Sequence, residues 1–245
     1  MNKISFPKLS NHIPYITTNQ MIEVDRLMIE EYGINLFQMM ENAGRCLAIV
    51  TREKINLNKD KNILVIAGSG GNGGGGMTAA RRLNFWGYNV AVLLTSAIEK
   101  YQGTIGIQLK ILQKTGAKVY TKPDFDFNKK YDVIIDAIIG YSLRGELRKN
   151  IIELIEWVNN QDANIISMDV PSGIDSTTGE ISSNCIKADQ TMTLALPKTG
   201  FQNPETKKYI GELLLADISV PPVLYHKAFD IELPDIFRKG DIVRI

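Results

Sequence analysis

Histidine and cysteine are scarce in this chain. Of its 245 residues only His12 and His226 are histidines and only Cys46 and Cys185 are cysteines. Two histidines leave almost no room for a multi-histidine metal centre. Two cysteines do not make a disulfide framework, and a reducing cytoplasm is the compartment expected. Long apolar runs are missing too. None approaches the ~18 residues a membrane helix needs. The opening stretch MNKISFPKLSNHIPYITT has no apolar segment of the kind a secretory leader carries. Charge of one sign is not in excess. Lys and Arg number 28 against 27 Asp and Glu, a net charge of +1, so the basic footprint of a nucleic-acid binder is absent. What is present is ordinary: 44% hydrophobic and 22% charged residues, enough for a sizeable core. The expectation is one α/β domain over residues 1–245 with an N-terminal extension.

Two hydrophobic periods alternate along the chain. Residues 18–31 space Met21, Val24, Leu27 and Met28 at helical intervals, with Thr18 as expected N-cap and Gly33 as stop. A second helix is expected over 36–52. Residues 62–67 (NILVIA) are nearly all apolar, as in a strand buried on both faces. A glycine-rich loop, 68–76, precedes a helix over 77–86. Further strands are expected at 89–94, 118–120, 131–135, 164–168, 190–196 and 212–216, and helices at 104–115 and 151–159. Strands alternating with helices require right-handed crossovers and a parallel sheet. The fold expected is a Rossmann-like, doubly wound, mostly parallel three-layer α/β/α sheet with an N-terminal helical extension. The leading helices, with Met21, Leu27, Met28, Met39 and Met40, would cover the sheet or face a second copy. Ligands bind beyond the C-terminal strand ends of such sheets. Loops 68–76, 137–148 and 169–179 should therefore converge.

Four motifs fall in or near those loops. The run Gly68-Ser69-Gly70-Gly71-Asn72-Gly73-Gly74-Gly75-Gly76 contains a formal G-x-G-x-x-G. Its backbone can approach a ligand, and its amides suit a phosphate; the alternative is tight strand–helix packing. It is not a P-loop, because Gly76-Met77-Thr78 lacks the lysine. Nor is it a conventional dehydrogenase loop, since Thr95 and Ser96 stand where a ribose-binding carboxylate would be. The second motif runs from Asp136 to Gly145. An acid ending a buried strand needs a partner or a cation, so Asp136 is read as a cation ligand or a cap. Gly140-Tyr141-Ser142 resembles the start of a nucleophile elbow. Arg144 occupies the last glycine's place, and His226 would have to be the base, so a serine hydrolase is set aside. The third is Asp169-Val170-Pro171-Ser172-Gly173-Ile174-Asp175. Asp169 ends a strand and is a candidate general acid or base, or a cap of its own turn. The fourth is Thr191 to Lys198, where Lys198 would meet an anion or lie in solvent.

These motifs together resemble the NAD(P)H-hydrate epimerase family, the YjeF N-terminal domain family, from Thr18 to about Pro222. Gln38-Met39-Met40-Glu41-Asn42-Ala43-Gly44 resembles its L-M-E-N-A-G segment. The glycine run resembles G-x-G-N-N-G-G-D-G, and Asp169–Asp175 resembles D-I-P-S-G-x-D. The resemblance implies an isomerase that interconverts the R and S hydrates of NADH or NADPH, working beside an S-specific dehydratase. It implies ligand contacts at Gly71, Asn72, Gly73, Gly74 and Gly75, at Gly140, Tyr141, Ser142, Leu143, Arg144, Gly145 and Glu146, and at Asp169; Lys198, from its own place just past a strand, would help to position the ligand. It implies a potassium ion held by Asn72, Asp136 and Ser172, all oxygen donors suited to a hard cation. It also implies a homodimer and a stand-alone epimerase, without the family's second, dehydratase domain. Asp169 would be the acid–base group. Two residues depart from the pattern: Gly71 replaces an asparagine and Gly75 the aspartate. The Gly75 departure is the best support for the alternative reading, a non-catalytic ligand-binding or scaffold module, and the retained Asn72, Asp136, Asp169 and Ser172 argue against it.

Overall fold

A computed structural model describes residues 5–10 and 12–245. The first four residues, part of the stretch read as lacking a leader, lie outside the described residues. No described helix is long and apolar enough to cross a membrane. The described elements run α1 (Thr18–Glu30), α2 (Leu36–Lys54), β1 (Asn62–Ala67), α3 (Gly71–Phe85), β2 (Asn89–Leu94), α4 (Gly103–Lys114), β3 (Lys118–Tyr120) and β4 (Val133–Ala137). They continue with α5 (Lys149–Asn159), β5 (Asn164–Met168), β6 (Gln190–Leu194), α6 (Lys207–Ile210), β7 (Glu212–Ala216), α7 (Pro222–Phe229) and β8 (Ile242–Arg244).

The strands form one sheet in the order β3-β2-β1-β4-β5-β6-β7-β8. All neighbours are parallel except β7 and β8. The order 3-2-1-4-5-6 is that of doubly wound dinucleotide-type sheets, and the direction of winding reverses between β1 and β4. Side chains alternate across the sheet. Ile63, Val65 and Ala67 of β1 join a core with α1, α2, α3, α4 and α7, whereas Leu64 and Ile66 join a second core with Ile151, Leu154, Ile155 and Val158 of α5. That is the three-layer α/β/α arrangement. Each fully buried aliphatic side chain contributes about 1.5–3 kcal/mol.

Several boundaries differ from the sequence expectation, each for a local reason. Thr17, not Thr18, caps α1, in a reciprocal capping box with Gln20. The strand expected at 131–135 lies two residues later. Pairing with β1 begins at Ile63↔Val133 and carries Asp136 inside the strand, opposite Ile66. β6 stops at Leu194, because Ala195 has φ +63° and leaves the extended path. Met21, Leu27, Met28, Met39 and Met40 are buried within the chain itself, so these side chains are core rather than a surface for a second copy.

The largest correction concerns the glycines. Helix α3 begins at Gly71, six residues before the expected start, so Gly71 to Gly76 form its first turns. Each glycine in a helix costs about 1 kcal/mol relative to alanine. Close packing explains the choice. A Cβ on Gly73 would lie 1.7 Å from the Gly68 carbonyl oxygen, one on Gly76 2.5 Å from the Ala137 Cβ, and one on Gly74 2.6 Å from the Met40 sulfur. On the facing helix, a Cβ on Gly44 would meet Thr78 at 2.4 Å. Helices α2 and α3 and strands β1 and β4 approach each other through these positions.

Candidate active site

Asp169 follows β5 directly and adopts a left-handed backbone, φ +66°. Aspartate tolerates this conformation better than most residues, yet it is a strained choice that structures hold only with support. Support is present on every side. The Asp169 N–H bonds to the Met192 carbonyl at 2.7 Å. Its Oδ1 accepts from Lys198 Nζ at 2.6 Å, from the Leu194 N–H at 3.2 Å and from Thr193 Oγ1 at 3.3 Å. Its Oδ2 accepts from the Tyr141 N–H at 3.2 Å. The backbone turn thus aims the carboxylate back across the strand ends instead of along β5.

Lys198 does not occupy the place the sequence suggested. Its side chain is 0% exposed and lines no cavity facing Asp169. The ammonium donates to Asp169, to Thr193 Oγ1, and to the carbonyls of Leu194 and Leu196 at 2.9 and 3.0 Å. No donor is left for a phosphate. Lys198 is a buried counter-charge that fixes Asp169. Removing one member of such a pair strands the other's charge at a cost of about 3–5 kcal/mol.

Asp136 is completely buried on the α5 side of the sheet. In register it lies opposite Ser167 of β5, whose hydroxyl donates to its Oδ2 at 2.8 Å. Ser172 donates twice, from its hydroxyl to Oδ1 at 2.6 Å and from its N–H to Oδ2 at 2.9 Å. The Ile138 N–H completes the set at 3.2 Å. Burial pushes the carboxyl above the usual carboxylate range, and these donors pull against it. All four are neutral, and no cationic side chain pairs with Asp136 among the described residues. Asn72 stands on α3, with its amide nitrogen on the Met168 carbonyl at 3.0 Å. Asp136 and Ser172 are therefore joined directly, while Asn72 lines both cavities and bonds to neither residue. No cluster of three or more His, Cys, Asp or Glu side chains gathers among the described residues.

Among the described residues, two adjoining cavities open above the ends of β1, β4 and β5. One, of about 260 Å³, is mainly apolar; Met21, Leu36, Met39, Met40, Ala43, Met168 and Ile218 form much of its wall, and Asp169, Asp25, Asn72 and Tyr141 are among its polar lining. The other, of about 340 Å³, is more polar and lies at the N-terminus of α3, lined by Gly68–Asn72, Thr95, Ser96, Leu143, Arg144, Glu146 and Arg148 among others. Gly71, Asn72, Gly140 and Ser142 line both. The three loops do converge, as expected. The contribution of the glycine segment ends at Asn72. Gly73, Gly74 and Gly75 line neither cavity, and a Cβ on Gly75 would lie 2.2 Å from the end of the Met168 side chain. What the structure shows for these three is close packing. Gly145, with φ +69°, turns its loop without facing either cavity. His226 sits on α7, paired with Glu232 at 3.0 Å and away from Ser142. Cys46 and Cys185 are buried, and burial raises both thiols, Cys46 to about 12.

The site also holds a residue the motif reading missed. Asp25 of α1 lines the apolar cavity and accepts from the Tyr141 hydroxyl at 2.5 Å. The signal was in the sequence: Asp25 stands between Val24 and Met28 on an otherwise apolar helical face.

The sequence pattern of the family described as YjeF-related protein N-terminus matches residues 36–200. The chain belongs to the YjeF-related family. Among similar proteins, the NAD(P)H-hydrate epimerase of Dehalogenimonas lykanthroporepellens is 39% identical over 231 residues, 94% of this chain and 92% of that protein. The NAD(P)H-hydrate epimerase of Rhodopirellula baltica is 32% identical, covering 85% and 86% of the two chains. The bifunctional NAD(P)H-hydrate repair enzyme Nnr of Salinibacter ruber is 31% identical, and this chain spans 42% of it. The crystal structure of yeast ynu0, YNL200c, superposes with a TM-score of 0.84 at 26% identity, covering 95% of this chain and all of that one. The matched family residues include both cavity-forming loops, Asp136, Asp169 and Lys198.

Proposed function

We propose that this YjeF-related chain is an NAD(P)H-hydrate epimerase, an isomerase that interconverts the R and S hydrates of NADH and NADPH for a downstream S-specific dehydratase. One observation carries the reading. A buried, charge-paired carboxylate, Asp169, faces an apolar cavity that shares its wall with a polar one at a helix N-terminus. A reduced nicotinamide ring suits the first cavity. The second offers first-turn amides of α3, which have no carbonyl partner within the helix, together with Arg144 and Arg148, a fit for the pyrophosphate. Asp169 exchanges a proton with the oxygen that leaves or joins C6, and Lys198 holds it in place from behind.

A potassium ion fits the chemistry of Asp136. The carboxylate is buried among neutral donors without a counter-charge; Ser172 adds an oxygen donor directly on Asp136, and Asn72 another on the cavity wall. Held there, the ion would supply that counter-charge and fix the loop that carries Ile138 to Tyr141. The resemblance also supports a homodimer and a cytoplasmic setting. Ile22 and Ile29, both exposed on α1, offer an apolar surface for the dimer, which light scattering after gel filtration would test.

The deciding assay supplies purified protein with the R hydrate and an S-specific dehydratase, and follows NADH recovery. Acceleration over spontaneous epimerisation, lost about 10²-fold or more in Asp169→Asn, is expected. A rate equal to the spontaneous one would leave a binding module instead.

A further inference from the structure

We propose that Asp25 of α1 is the second acid–base group of this site, acting across the apolar cavity from Asp169. The inference rests on the epimerase reading and adds a residue to it. Asp25 and Asp169 line the same cavity. Tyr141 touches both, its hydroxyl donating to Asp25 Oδ2 at 2.5 Å and its N–H to Asp169 Oδ2 at 3.2 Å. The two carboxyl groups therefore stand at opposite ends of one tyrosine, on walls built by different elements. Their charge settings differ. Asp169 is paired with Lys198, whereas no ion pair holds Asp25 among the described residues.

The groups that face Asp25 are Tyr141, Asp169, Lys198 and, from α7, Tyr225. On its own helix, Arg26 is spent on Glu23 and Glu30. Burial pushes the Asp25 carboxyl above its ordinary range; the Tyr141 hydroxyl opposes this, Asp169 adds to it, and Lys198 opposes it. A carboxyl so placed, with no cationic partner of its own among the described residues, is suited to hand a proton into the cavity.

Epimerisation has a requirement that one carboxylate meets poorly. The hydroxyl leaves one face of C6 and returns to the other. Asp25 gives its proton to the departing hydroxyl, and the C6–O bond breaks with its electron pair on oxygen, releasing water. The N1 lone pair forms the C6=N1 iminium. Water then adds to the opposite face of C6, its proton goes to Asp169, and the electron pair returns to N1. The reverse reaction exchanges the two roles. Two acids at opposite ends of Tyr141 on one cavity can serve the departing hydroxyl and the incoming water separately, the division of labour of inverting glycoside hydrolysis.

The test is the coupled NADH-recovery assay on the full chain, with folding followed by far-UV circular dichroism. Asp25→Asn should lower kcat about 10²-fold with KM changed less than threefold. The fall of kcat with rising pH, set by deprotonation of Asp25, should vanish in that variant. Tyr141→Phe removes a hydrogen bond that lowers the Asp25 pKa and should move the same limb to higher pH. Added formate should restore part of the rate to Asp25→Ala. A folded Asp25→Asn with kcat within twofold of the parent overturns the proposal and leaves the epimerase reading intact. If Asp25→Asn does not fold, an unmoved limb in Tyr141→Phe overturns it. A parent protein without epimerase activity overturns both.

Discussion

Lys198→Met separates a ligand-contacting lysine from one that works only through Asp169. The substitution keeps most of the side-chain volume and deletes the ammonium. Asp169 then keeps its charge, its strained backbone and three weaker donors, at 3.2, 3.2 and 3.3 Å. The loss of stability should be about 3–5 kcal/mol, a large part of the 5–15 kcal/mol typical of a domain. Asp169→Asn keeps an acceptor for Lys198, whose ammonium still reaches two carbonyls, but it strands that buried charge and should also cost about 3–5 kcal/mol. In the double variant the stranded charge is gone. Its cost should fall below the sum of the single costs by about 2–3 kcal/mol, the coupling expected of contacting residues. Urea unfolding of the four proteins gives the cycle directly. Epimerisation rates give a parallel cycle. Lys198→Met should slow the parent about 10²-fold and should not slow Asp169→Asn further. Additive stabilities, or rate losses that multiply, would mean that Lys198 acts independently of Asp169, and the positioning role would be refuted.

The glycine segment and the cation site yield two further expectations. Gly73→Ala drives a Cβ into the Gly68 carbonyl and should cost about 3 kcal/mol, lowering Tm by roughly 6–12 °C. Gly71→Ala, with open space around its Cβ, should raise Tm by up to about 4 °C and raise KM, because Gly71 lines both cavities. For Asp136, the folded pKa is raised, so its own contribution favours folding at low pH and is lost as pH rises from the unfolded value through the folded one. Potassium should therefore raise Tm over choline at equal ionic strength near neutral pH, and the gain should shrink in acid. Asp136→Asn should abolish the gain; a potassium effect unchanged in that variant would remove Asp136 from the ligand set.

The fold and the site were legible in the sequence to different depths. Strand runs such as NILVIA announce burial on both faces, and the alternation with helices determines winding without knowledge of any contact. Asp136, Asp169 and Ser172 could be found because acids and hydroxyls at strand ends have few structural reasons to be there. The role of Lys198 was not legible, since nothing along the chain says that Ala195 turns out of the strand and folds the lysine back under Asp169. The glycines misled in the opposite direction. A run of them reads as loop by propensity, but propensity is worth about 1 kcal/mol per residue, and four interfaces meeting within one helix turn outweigh it.

The same geometry bears on Gly75, the position that departs most from the family pattern. Its side of α3 faces Met168 and Ala43 rather than the polar cavity. An aspartate there would have to push the end of Met168 aside, toward the apolar cavity that Met168 lines. Glycine at 75 and methionine at 168 are thus two halves of one packing choice. They leave the Asp169–Lys198 pair and the α3 amides untouched. The departure changes the wall of the nicotinamide-sized cavity, not the groups that carry protons, so its effect is expected in KM before kcat.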